Sequence, residues 1–209
     1  MATGHAERLV PMIGDVLATA GLGIDDIDRI AVTNGPGSFT GTRIAISAAR
    51  ALALATGAEV VTASSLWLMA EQAARDLRQM GYGIAASTAD LVIVVDARRG
   101  EVYAQHFGLC DGHDGVVPAG LPQVLSIEAA AGIGGMRTVH FCGSAAAEVA
   151  GRAAGSGREA TAHMADLLPD AAEFVQLALR LKPEAAPVRP LYLRPADAKP
   201  QAGHSIERA

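Results

Sequence analysis

Two cysteines, one tryptophan and 4% aromatic residues are all that this chain of 209 residues spends on those side chains. Cys110 and Cys142 form no Cys-x-x-Cys pair, so neither a disulfide framework nor a zinc ribbon is expected. No uncharged apolar run approaches the ~20 residues that a membrane-crossing helix needs. The opening MATGHAERLVP lacks the basic flank and apolar core of a secretory leader. A cytoplasmic location without a membrane partner is the expectation. The six histidines, His5, His106, His113, His140, His163 and His204, are scattered and show no HExxH spacing, so no metal site is expected. Seventeen basic against 22 acidic side chains give a formal charge of −5, a field that repels a phosphate backbone and disfavours unaided nucleic-acid binding.

What is present is half hydrophobic and alternates between two periodicities. Leu9, Ile13, Val16, Leu17 and Ala20 recur at helical spacing, with Pro11 predicting a kink or a helix that becomes regular only after it. Ile30–Val32 reads as a buried strand entering a glycine loop, and a helix to about Thr56, the strand EVVTA and a helix over Leu66–Met80 follow. Tyr82–Asp90 turns rich in Gly, Ser and Thr, marking a boundary between a unit at 1–86 and one at 87–181. The second unit opens with a hairpin, LVIVVDARRGEVYAQHF, and continues with a helix from Ile127, the strand TVHFCG and a helix from Ala145. It ends in a helix over Asp170–Leu181, with Asp170 as N-cap and Phe174, Val175, Ala178 and Leu181 facing inward. A tail at 182–209 with five prolines is expected to be extended, its last ten residues disordered. Alternating strands and helices predict an α/β fold with a parallel or mixed sheet.

The stretch NGPGSFTGTRIAISAARALALATG, Asn34–Gly57, decides between functions. Its loop is neither GxSxG, GxGxxG nor GxxxxGK[ST], and no lysine follows to meet a phosphate. Ser38 or Thr40 is expected to cap a helix rather than attack a substrate, and no catalytic residue is assigned. Apart from the stripe Arg43, Ser47 and Arg50, the helix is apolar and mostly alanine, so it must be covered either by its own core or by a partner. Asp96 and Glu101 flank the hairpin turn, where solvated carboxylates are the ordinary reading.

Taken in order, GHAERLVPMI, GPGSFTGTRIAISAARALALATG, SSLWLMA, VVDARRGEVYAQHF and PLYLRPADAKPQ resemble the bacterial tRNA threonylcarbamoyladenosine biosynthesis family TsaB, also called YeaZ, over nearly the whole chain. The resemblance implies an actin-like, Hsp70-like (ASKHA) fold of two related α/β domains. It also implies a non-catalytic partner of TsaD, the subunit that holds metal and nucleotide, with TsaE as a further ATPase. Together they would transfer threonylcarbamoyl to adenosine 37 of tRNA, which reaches this chain only through the complex. ATP and metal are then expected on the partner subunits.

In that family the first helices pack on TsaD or on a second copy as a homodimer, so the implied interface is Leu9, Ile13, Leu17, Arg43, Ser47, Ala48, Arg50 and Ala51. Asp96, Gly143 and Ser144 are the implied positions of a nucleotide cleft. Family members begin with a strand carrying an Asp-Thr-Ser-like segment, whereas this sequence begins almost at the first helix. A first domain truncated at its N-terminus, through a start codon placed too far downstream, is therefore expected, with half of the cleft missing. The alternative is an actin-like nucleotide-binding ATPase or kinase relative.

Overall fold

The computed structural model describes residues 5–82, 84–85, 88–110, 115–135 and 137–194. The expected boundary at residues 86 and 87 and the tail beyond Arg194 lie outside them. The first helix, α1 (His5–Ala20), runs unbroken through Pro11. Only the Glu7 carbonyl is deprived of an amide there, and both residues are exposed to solvent.

Strands β1 (Arg29–Thr33) and β2 (Glu59–Ala63) pair in parallel, Arg29 opposite Glu59 and Thr33 opposite Ala63. A parallel pair needs a crossover, and α2 (Phe39–Thr56) supplies it. Ser38 caps α2 by accepting from the Gly41 amide at 3.0 Å, as its place before the apolar run predicts. Val32, Ile46, Ala49 and Val188 form a small core beneath it, and α1 packs on its side.

The second sheet contains β3 (Ala89–Asp96), β4 (Glu101–Leu109), β5 (Val116–Pro118), β6 (Gln123–Ser126), β7 (Thr138–Cys142) and β8 (Ala160–His163). Its order is β5-β4-β3-β7-β8, with β6 also on β4. β3 is antiparallel to β4 and parallel to β7, so the sheet is mixed. Residues 91–95 of β3 are continuously apolar because both faces of the strand are covered. Leu91 and Ile93 meet α3 (Ser65–Gln79), while Val92 and Val94 meet the side of α4 (Ile127–Ala131) and α5 (Ala146–Gly155).

The last helix, α6 (Ala171–Arg180), is capped by Asp170, which accepts from the Ala172 amide. Its buried face is Phe174, Leu177 and Ala178, and Val175 stands 58% exposed, correcting the expected inward set. Successive helical residues turn by about 100°, so Leu177, Phe174 and Ala178 together span about 100° of the helix surface and Val175 lies about 60° beyond Ala178, outside that arc. α6 returns to the first sheet, joining Val61, Ala63 and Leu68 in one cluster. α3 thus lies between two cores, and its buried Glu71 accepts from Arg180 at 2.8 Å and from the Trp67 indole at 3.2 Å.

Candidate interaction site

The glycine loop is closed on itself and on the C-terminal segment. The Asn34 carbonyl accepts from Leu191 at 2.7 Å, the Gly35 carbonyl accepts from Ser65 at 2.8 Å, and the Ser65 hydroxyl donates to the Pro36 carbonyl. Gly35 and Pro36 are buried. A Cβ at Gly35 would stand 3.4 Å from the Leu191 carbonyl, with φ at +106°. Glycine there lets residues 188–194 lie across the loop as a strap.

That strap joins the two sheets. Arg50 donates to the Val188 carbonyl, and the Arg43 Nε donates to the Tyr192 hydroxyl at 2.7 Å. Arg194 donates to the carbonyls of Ala97 and Arg98 and pairs with Glu101. Arg43 also lies 3.7 Å above the Phe39 ring, whose centroid is 5.6 Å from that of Tyr192. The stripe of Arg43, Ser47 and Arg50 read from the sequence is therefore the strap side of α2. The strap's closing role was not legible, because its partners stand up to 149 residues away.

The other implied interface residues divide by exposure. Leu9, Ile13 and Leu17 are half-buried, as is Ala48, while Ser47 and Ala51 are exposed. The outer side of α1 and α2 shows Val10 at 64%, Val16 at 63% and Leu54 at 90% exposure. Although α2 is almost wholly apolar, only Ile46 and Ala49 are buried. Apolar side chains of α1 and α2 are thus left uncovered by the rest of the described residues.

Asp96, Gly143 and Ser144 come together where β3 and β7 end side by side. The Asp96 amide donates to the Ser144 hydroxyl at 3.0 Å, and the Asp96 carboxylate accepts from the Arg98 amide at 2.7 Å. These bonds tie the hairpin turn to the start of α5. Within the turn, Arg98 and Arg99 hold φ of +66° and +61°.

Strand pairing also joins histidines that sequence spacing keeps apart. In the β7–β8 register, His140 lies opposite Thr161 and Cys142 opposite His163. The His140 Nδ1 stands 3.1 Å from the His163 Nε2, and Thr161 Oγ1 is 2.9 Å from both. Burial, and secondarily the like charge of His163, lowers the pKa of His140 against an opposing pull from Glu159, and burial lowers His163. Among the described residues no group of three His, Cys, Asp or Glu side chains is placed to hold a metal. Burial alone would raise the Asp90 carboxyl, but the Gly135 amide, His106 and Arg137 outweigh it and hold it below its usual value. Asp90 accordingly ties β3 to β4 and to the loop before β7.

No helix among the described residues is long and apolar enough to cross a membrane. A family profile described as "TsaD: tRNA N6-adenosine threonylcarbamoyltransferase" matches residues 1–174. The chain is similar to the tRNA threonylcarbamoyladenosine biosynthesis protein TsaB of Haemophilus influenzae, 40% identical over 99 residues, which are 47% of this chain and 38% of that one. It thus spans well under half of that relative in the alignment. An uncharacterized protein of Mycobacterium tuberculosis is 35% identical over 201 residues, covering 96% of this chain and 80% of that one. A crystal structure from Pseudomonas aeruginosa, of an uncharacterized protein with similarity to peptidase YEAZ, superposes with a TM-score of 0.73 at 31% identity, over 93% and 86% of the two chains. With its mixed sheet and actin-like fold, this chain belongs to the threonylcarbamoyltransferase family that the profile describes and is of the TsaB (YeaZ) type.

Proposed function

We propose that this chain is a non-catalytic assembly subunit for N6-threonylcarbamoylation of tRNA adenosine 37, and that it holds the catalytic TsaD subunit through the α1–α2 face. TsaE joins that assembly, ATP and metal reside on the partners, and a second copy of this chain competes for the same face. The observation that carries the reading is the apolar helix α2, buried at only two positions and bordered by exposed Val10, Val16 and Leu54. Its small side chains let another helix approach closely.

Co-expression with a tagged TsaD tests this: the two chains should elute together, and Ala51→Glu should abolish the complex. Ala51 is exposed, so the chain itself folds with the glutamate. In the complex an unpaired buried carboxylate costs about 3–5 kcal/mol, a loss of at least a hundredfold in affinity. Co-elution unaffected by the glutamate refutes the face, and no co-elution of the wild-type pair refutes the function.

The meeting of Asp96 with Ser144 favours a second reading, a nucleotide cleft where β3 and β7 end. Calorimetry with ATP and magnesium, followed by a turnover assay, separates an ATPase from an assembly subunit.

A further inference from the structure

We infer that the strap side of α2 is a contact surface for single-stranded RNA, its arginines meeting phosphates and the Phe39–Tyr192 pair stacking on a base. The identity of the nucleic acid rests on the function proposed above, whereas the surface rests on charge and ring geometry alone. The net charge of −5 is unevenly spread. Neither α2 nor residues 185–194 contain an acidic side chain. Where α2, the strap and the hairpin turn meet there are six arginines, Arg43, Arg50, Arg98, Arg99, Arg189 and Arg194, against two carboxylates, Asp96 and Glu101.

The strap sets their order. Arg50 is fixed at Val188, Arg43 at Tyr192, and the turn bearing Arg98 and Arg99 at Arg194. From Val188 to Arg194 an extended chain spans at most ~20 Å, about the rise of six stacked nucleotides at ~3.4 Å each. In the middle stand Phe39, 54% exposed, and Tyr192, 50% exposed, with the Arg43 guanidinium against the Phe39 ring. Aromatic rings interleaved with cations form the stacking platform that single strands use.

The hairpin turn adds an independent observation. Its positive φ angles suit glycine or asparagine, and an ordinary side chain costs about 1–2 kcal/mol at each. Arginine nevertheless occupies both Arg98 and Arg99, and both are exposed. A strained position that keeps a cation points to use of the cation.

The test is fluorescence anisotropy of the full chain with a short fluorescein-labelled RNA hairpin presenting an unpaired loop, titrated across a salt series, with a blunt RNA duplex as control. Loop-dependent binding that weakens with salt is expected. Arg43→Gln should shallow the slope of log K against log salt by about 0.7. Phe39→Ala should weaken binding roughly tenfold while leaving that slope unchanged. Arg98→Gly with Arg99→Gly should weaken RNA binding while raising thermal stability, an outcome that a purely structural role for these arginines does not give. Ala51→Glu should leave RNA binding intact, so loss of TsaD assembly and loss of RNA contact are read separately. Absence of binding, equal binding of the duplex, or variants that lose TsaD and keep RNA overturns the inference; the last result assigns the surface to protein.

Discussion

Replacing Gly143 with alanine should destabilise the chain by about 3–5 kcal/mol. The backbone there has φ of +113°, and an added Cβ would stand 2.4 Å from the Val94 carbonyl oxygen and 3.3 Å from its carbon. Holding a non-glycine residue in such a region costs about 1–3 kcal/mol. The close contact is with backbone, so no rotamer relieves it, and forced overpacking adds about 1–3 kcal/mol. Relief by moving β7 from β3 would break the bond from the Ala145 amide to the same Val94 oxygen, worth about 0.5–1.5 kcal/mol.

Urea unfolding followed through Trp67, the single tryptophan, reads the effect. With a denaturant slope of about 2 kcal/mol/M, the midpoint should fall by roughly 2 M. Gly100→Ala is the matched control: its φ is +73°, but its Cβ would meet nothing within 4 Å, so only the left-handed penalty of about 1–2 kcal/mol applies. If the two variants unfold at the same midpoint, the steric argument at the β3–β7 junction is wrong.

Two further outcomes follow from buried titratable groups. His140 and His163 have folded pKa values below the ordinary ~6.5. Their contribution is therefore complete above about pH 6.5 and is lost as pH falls through the folded values, because the unfolded chain takes up protons first. The midpoint temperature should drop between pH 7 and pH 5, and by less in a His140→Gln, His163→Gln variant; an unchanged drop removes the pair as its cause. The Cys142 thiol is pushed up to about 12 by burial, whereas Cys110 is half-buried. A thiol-reactive chromophore should therefore label one cysteine in the native chain and two in denaturant, and fast native labelling of Cys142 would contradict its burial.

Helices and long strands were legible because each carries its own period. Ser38 before α2 and Asp170 before α6 mark their helices in the same way, with a short polar side chain ahead of an apolar run. β5, β6 and β8 were not legible: at three or four residues they are shorter than one period test requires and exist through pairing with β4 and β7. The His140–His163 contact was hidden for the same reason, since strand register rather than spacing creates it. The arginine stripe of α2 could be read, but not what it faces.

The strap has a consequence for the order of synthesis. Residues 29–63 emerge from the ribosome long before Val188 and Tyr192 exist, yet Ile46 and Ala49 share their small core with Val188, and Arg43 waits 149 residues for Tyr192. A lobe closed by such distant contacts cannot complete until nearly the whole described chain has been made. During that interval its apolar helix stands uncovered on two sides, which makes the nascent chain most dependent on chaperones just before Val188 and Tyr192 are translated.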